Sequence, residues 1–166
     1  RRWCEFLALA AILAAGGALR FARLDSNPPG VFADEAEKAM NAWALRCEGQ
    51  AFEFAPGLGG VPAIRWRRWP LFVDVMGVKT SAIYQWALAA ICSPAEPPSP
   101  ARMRAPAAAA GVAALGATYG LARGALGPGA ALAAAGWLAI SPWHAAFTRW
   151  ALQGAFIPLF IALGML

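Results

Sequence analysis

From Trp3 to Phe21 the chain is apolar except for Glu5 near the start of the run and Arg20 near its end. That is close to the ~20 residues a helix needs to cross the hydrocarbon core of a bilayer, so the run predicts a membrane span over about 3–23. A signal peptide is the competing reading, because Ala14-Ala15-Gly16 resembles a cleavage region. The apolar runs that follow argue against secretion of a soluble product. Arg1 and Arg2 place the start of the span in the cytoplasm by the positive-inside tendency.

Ala105 to Ala122 is long and apolar enough to cross, and Ala130 to Trp143 with its flanks is shorter but of the same kind. With the Arg123 to Gly129 turn between them, these predict a transmembrane hairpin of spans at about 105–122 and 128–145, and a further span begins at about 154–166. The composition agrees, with 60% hydrophobic and only 14% charged residues, too apolar for an ordinary water-soluble domain. The 13 prolines and 17 glycines concentrate between the apolar runs and act as punctuation. The fold class expected is therefore all-α, a polytopic transmembrane helical protein with a long first extracytoplasmic loop at about 24–104 carrying juxtamembrane helices. Alanine-rich bias suits close helix packing, and no internal repeat is evident. Arg1 in place of a methionine, and Leu166 inside an apolar run, predict the N-terminal portion of a longer protein.

The net charge of +5 would suggest nucleic acid in a soluble protein. No basic module interleaved with aromatics is present, so the charge is assigned to topology and to lipid or phosphate contacts, with no nucleic-acid partner expected. Cys4, Cys47 and Cys92 lack paired metal-ligand spacing. Cys4 is placed in a span; Cys47 and Cys92 are read as small buried apolar residues, a disulfide between them being the alternative.

Within the loop, Asp34 to Glu48 carries Ala36, Met40, Trp43 and Cys47 at helical spacing, opposed by Glu37, Lys38, Asn41 and Glu48, and stops at Gly49. It predicts an interfacial helix lying on the membrane. Ser81 to Cys92 is too short to span and predicts a juxtamembrane helix ended by Pro94, Pro97, Pro98 and Pro100. This topology gathers the loop and Ser141 to Arg149 outside and Arg123 in the cytoplasm. Arg65, Arg67, Arg68, Arg102 and Arg104 then lie outside, where long loops weaken the charge rule.

Asp34-Glu35, following Pro28-Pro29-Gly30, offers a carboxylate that could take a proton from a hydroxyl. Acids also begin helices simply because they suit the free N–H groups and the dipole, and spacing alone favours that reading. Lys79, just before the short apolar patch, and Arg149 could each hold a lipid phosphate or merely anchor the chain at the interface. His144 is the single histidine, with no companions that define a metal site. Trp43, Trp66, Trp69 and Trp143 suit an interface belt better than a sugar-stacking platform. Gly57-Leu58-Gly59-Gly60 follows no strand pattern of a nucleotide cradle.

The segment Asn27-Pro28-Pro29-Gly30-Val31-Phe32-Ala33-Asp34-Glu35-Ala36, with Asn41-Ala42 and Gly49, resembles the first outer loop of bacterial GT-C glycosyltransferases. The group it is most similar to contains the dolichyl-phosphate-mannose protein mannosyltransferases and the aminoarabinose lipid A transferases. Lys79 with Ile83-Tyr84, then Ser141-Pro142-Trp143-His144 through Arg149, follow in the same order. Phe52 to Met76 matches poorly, and Thr80-Ser81-Ala82 stands where the family has a proline-rich continuation.

The resemblance implies transfer of a sugar from a polyprenyl-phosphate donor to a protein, lipid or glycan acceptor, with inversion, in a multi-pass protein of the bacterial inner membrane whose site faces the periplasm or exterior. Asp34 is then the base and Glu35 its catalytic companion. Lys79 and Arg149 bind the donor phosphate, His144 is supporting, and membrane lipid is a further partner. No metal ligand is assigned and no cofactor is named, although such chemistry is compatible with a divalent metal. A non-enzymatic polytopic protein, a transporter or assembly subunit, is the alternative; the near absence of acids from Ala105 onward disfavours a transport path.

Overall fold

The protein is described by a computed structural model covering residues 2–55, 63–68, 70–75 and 78–166. Arg1, Trp69 and the Gly57 to Gly60 loop lie outside the described residues. The chain is mostly helical, with two helices long and apolar enough to cross a membrane: α1 (Arg2–Phe21) and α4 (Pro100–Leu126). At 1.5 Å per residue they measure about 30 and 40 Å. Helix α4 begins earlier than the apolar run predicts because Ser99 caps it, its Oγ accepting from the Arg102 N–H at 3.4 Å, with Pro100 in the first turn.

The second half of the expected hairpin differs. Helix α5 (Pro128–Ile140) has 13 residues, about 20 Å, which is short of a bilayer crossing. Ser141 leaves helical geometry and Pro142, which has no N–H to donate, opens the separate short helix α6 (Pro142–Phe147). A 3₁₀ turn (Gln153–Phe156) and α7 (Ile157–Gly164) follow. Helix α5 packs along α4, and α1 lies against both. The contacts are made by small residues, among them Ala107, Ala110 and Ala114 of α4 and Ala131, Ala135 and Ala139 of α5, all buried.

Between α1 and α4 the chain is not all helical, which corrects the expected fold class. Helix α2 (Ala33–Glu48) is followed by strands β1 (Gln50–Ala55) and β2 (Ala63–Arg68), then β3 (Phe72–Val75) and β4 (Val78–Ser81), forming two separate antiparallel hairpins, and then by α3 (Ile83–Ile91). The β-branched and aromatic residues at Phe52, Ile64, Trp66, Val73, Val75 and Val78 favour a pleated surface over a helix. Asn41 fastens the first hairpin to α2, its Oδ1 accepting from the Phe52 N–H at 2.7 Å. Ala39, Ala42, Leu45, Val73, Tyr84 and Leu88 form a small core joining α2, α3 and the second hairpin.

Helix α2 ends at Gly49, whose φ of 67° only glycine adopts without strain and whose N–H bonds the Leu45 carbonyl at 3.1 Å. Its orientation reverses the expectation. Glu35, Glu37, Lys38 and Asn41 are buried with Ala39, Ala42 and Leu45, whereas Met40 and Cys47 are exposed. Glu35 and the Asn41 Oδ1 find partners elsewhere in the fold, while part of the apolar stripe faces outward. The cysteine expectations are likewise corrected in part: all three are free thiols, Cys92 is buried, and Cys47 is exposed.

The two ends of the helical layer are distinct. At one, Glu5 near the start of α1 accepts from Tyr119 and Arg123 near the end of α4. At the other, the end of α1, residues 24–35, the start of α4 and residues 144–151 meet.

Candidate functional site

Glu35 lies in the first turn of α2 and is fully buried. Its Oε1 accepts from Arg104 Nε at 3.2 Å and from the Ala151 N–H at 2.8 Å. Its Oε2 accepts from Arg104 Nη2 at 3.1 Å and from the Phe32 N–H at 3.3 Å. With two donors on each oxygen, the carboxylate has its acceptor sites occupied by the fold, so Glu35 is placed as an anchor between α2, α4 and Ala151.

Arg104, buried in the first turns of α4, completes the lock. Besides Glu35 it donates from Nη1 to the carbonyls of Leu24 and Pro28, both at 2.9 Å, and from Nη2 to Gly30 at 2.5 Å. The turn containing Pro28-Pro29-Gly30 is thereby clamped to the head of a membrane-length helix. Sequence reasoning passed over Arg104, because a lone charge beside a span carries no pattern that distinguishes a clamp from an anchor.

Arg149 donates from Nη1 to the Leu19 carbonyl at 2.5 Å and from Nη2 to Ala22 and Asn27 at 2.6 and 2.7 Å. It closes the C-terminal end of α1, where unpaired carbonyls and the dipole favour a cation. Arg149 thus holds the same loop from the other side, and its terminal nitrogens are engaged by backbone instead of being presented to a phosphate.

Asp34, one residue before the lock, is placed differently. Its side chain is 36% exposed; Oδ2 accepts from Lys38 Nζ at 3.0 Å, and Oδ1 carries no hydrogen bond to the described residues. Lys38 is itself almost fully buried, so the carboxylate is tethered at one oxygen and open at the other. Next to it, Phe32 stacks on Trp150 with ring centroids 4.2 Å apart. Trp150 in turn lines an apolar cleft of about 330 Å³ with Trp143, Ala146, Phe147 and Leu152.

His144 and Arg20 form a second buried pair at this end. Arg20 Nη2 lies 2.6 Å from His144 Nδ1, while Nη1 donates to the Gly16 and Ala139 carbonyls and Nη2 also to Leu138. Arg20 therefore closes the end of α5 as Arg149 closes that of α1. Gly111 makes room for it: a Cβ there would lie 3.0 Å from Arg20 Nε and 2.7 Å from Thr148 Cβ. Burial, and after it the Arg20 charge, lowers the His144 pKa to about 4, so the ring is neutral at physiological pH and accepts at Nδ1. Among the described residues no hydrogen bond joins His144 to Asp34.

Lys79 stands on β4, opposite Asp74 in the hairpin register, and lines a different cavity, of about 360 Å³, with Arg67, Arg68, Pro70, Leu71 and Phe72. The fold thus groups Asp34, Glu35, Arg149 and His144 at one end of the helical layer and sets Lys79 on the hairpins beside it. Tyr84, four residues after Thr80, is buried and donates to the Met103 carbonyl. Burial, then the Glu35 charge, pushes its hydroxyl well above the ordinary range, which keeps it a donor joining α3 to α4. Among the described residues no group of three or more His, Cys, Asp or Glu side chains could hold a metal ion.

No protein-family model matches the chain, and comparison with curated proteins and with solved structures gives no match.

Proposed function

We propose that the chain is the membrane-embedded catalytic portion of a glycosyltransferase that uses a polyprenyl-phosphate sugar donor, with Asp34 as the base. The observation that carries the reading is the contrast between the adjacent acids. Glu35 is consumed by four donors, whereas Asp34 keeps one oxygen free at the mouth of a clamped turn. The two membrane-length helices supply the setting in which a lipid-linked donor is met, and the residues from Asn27 to Ala36 supply the resemblance to the GT-C group.

In this reading Asp34 Oδ1 accepts the proton of an acceptor hydroxyl as its oxygen attacks the anomeric carbon. The bond from that carbon to the donor phosphate breaks on the opposite face, the electron pair leaves with the phosphate, and configuration inverts. Lys38 keeps the carboxylate oriented. Lys79 supplies positive charge for the departing phosphate; Arg149 contributes by holding the Asn27 turn, not by direct contact.

The test is sugar transfer from a panel of polyprenyl-phosphate donors by the complete membrane protein, wild type beside Asp34→Asn. Removing a positioned base lowers the rate by about 10²–10⁴-fold. The asparagine can still accept from Lys38, so insertion and folding are expected to persist. Full turnover in Asp34→Asn would remove the residue from this role, and no transfer by either protein would favour the non-enzymatic alternative.

A further inference from the structure

Strand β2 is exposed at every position from Ile64 through Arg68. A hairpin with neither side of one strand covered is marginal in water, since its pairing brings little apolar burial. The neighbouring residues compound the problem: Leu71 is 80% exposed, and Phe72 and Val78 are also largely exposed. Apolar groups in such density on a surface mark a contact that the chain does not make with itself.

The same surface is cationic. Arg67, Arg68 and Lys79 converge on one cavity whose other walls are Pro70, Leu71 and Phe72, and Arg65 is exposed on the same strand. The acids of the hairpins, Glu53 and Asp74, stand opposite Arg65 and Lys79 in the registers, so cations still outnumber acids four to two. Cations around exposed aliphatic and aromatic side chains match a surface that is anionic at the headgroup level and apolar just beneath it. Helices α1 and α4 are long and apolar enough to cross a bilayer beside this face.

We propose that the two hairpins form a docking face for anionic phospholipid, in which headgroup phosphates enter the cavity between Arg67, Arg68 and Lys79 while Leu71 and Phe72 reach the acyl boundary. The face covers β2, keeps the hairpins flat against the membrane, and through Asn41 and the Phe52 N–H sets the tilt of α2, on which Asp34 sits. It does not rest on the sugar-transfer reading.

The experiment uses the full chain in nanodiscs of phosphatidylcholine alone or mixed with phosphatidylglycerol. An environment-sensitive fluorophore is attached at Leu71→Cys, with Cys4 and Cys47 changed to Ser and Cys92 to Ala, and is challenged with brominated lipid. The expected result is a blue shift and strong quenching in the phosphatidylglycerol discs only, reversed by 1 M salt, where screening shortens to about 3 Å. Arg67→Gln with Arg68→Gln should lower the docked-to-undocked ratio about fivefold per cation removed, roughly 25-fold together. A second label at Val78→Cys must respond in the same way. Equal quenching in neutral and anionic discs, or none in either, would overturn the proposal. So would a response reproduced by inorganic phosphate over neutral discs, which would make the cavity a free-anion site.

Discussion

Glu35→Gln keeps the shape of the buried side chain and removes its charge, which makes it the sharpest perturbation of the clamp. Both oxygens receive two donors each, at 2.8 and 3.2 Å on Oε1 and at 3.1 and 3.3 Å on Oε2. Whichever position the amide nitrogen takes, it meets two N–H groups with a donor of its own, so two charge-assisted bonds are lost. Each is worth about 1.5–3 kcal/mol, and Arg104 is left as a buried cation without its counter-charge. A loss of about 3–5 kcal/mol is expected. For a chain of this length that corresponds to a fall in Tm of roughly 10 °C, measurable by thermal unfolding in detergent. The double variant Glu35→Gln/Arg104→Met should lose less than the sum of the single changes, because no unpaired buried charge remains. A Tm within about 2 °C of wild type for Glu35→Gln would refute the assignment of Glu35 as the structural anchor.

Lys79→Ala should weaken use of the donor more than use of the acceptor, read as a rise in KM for the lipid-phosphate sugar with that for the acceptor unchanged; matched donor titrations would dismiss the phosphate role. His144 is held neutral in the fold, its pKa lowered from 6.5 to about 4. The unfolded chain binds the extra proton between those values, so stability rises with pH through that window and is lost on acidification, by up to ~3 kcal/mol. The excess acid sensitivity of wild type over His144→Gln, followed by Tm at pH 7 and pH 4.5, measures it. Gly111→Ala would press a methyl against Thr148 and Arg20 and should cost about 1–3 kcal/mol, seen as a lower Tm without a change in transfer chemistry.

Much of the framework was legible in the chain because it depends on local patterns. The Trp3 to Phe21 run marks α1, Gly49 marks the stop of α2, and Pro142 marks the break after α5, although the last was read as part of a span. Each is a matter of periodicity, length or a backbone constraint carried by the residue itself. The strands were missed because short aromatic and β-branched runs are mixed with arginines in the region from Phe52 to Met76, where no amphipathic period stands out.

What only the tertiary structure decided is which charges work in the interior. Asp34 and Glu35 are neighbours with the same chemistry, and nothing local distinguishes the tethered, half-open carboxylate from the saturated one. The difference arises from donors that lie 69 and 116 residues away, on Arg104 and Ala151. The burial of the polar side of α2, the closing of α1 by Arg149 and the pairing of Arg20 with His144 across 124 residues have the same origin. Buried polar groups must be satisfied by whatever the fold brings near them, and that proximity is a property of the packed chain and not of the segment.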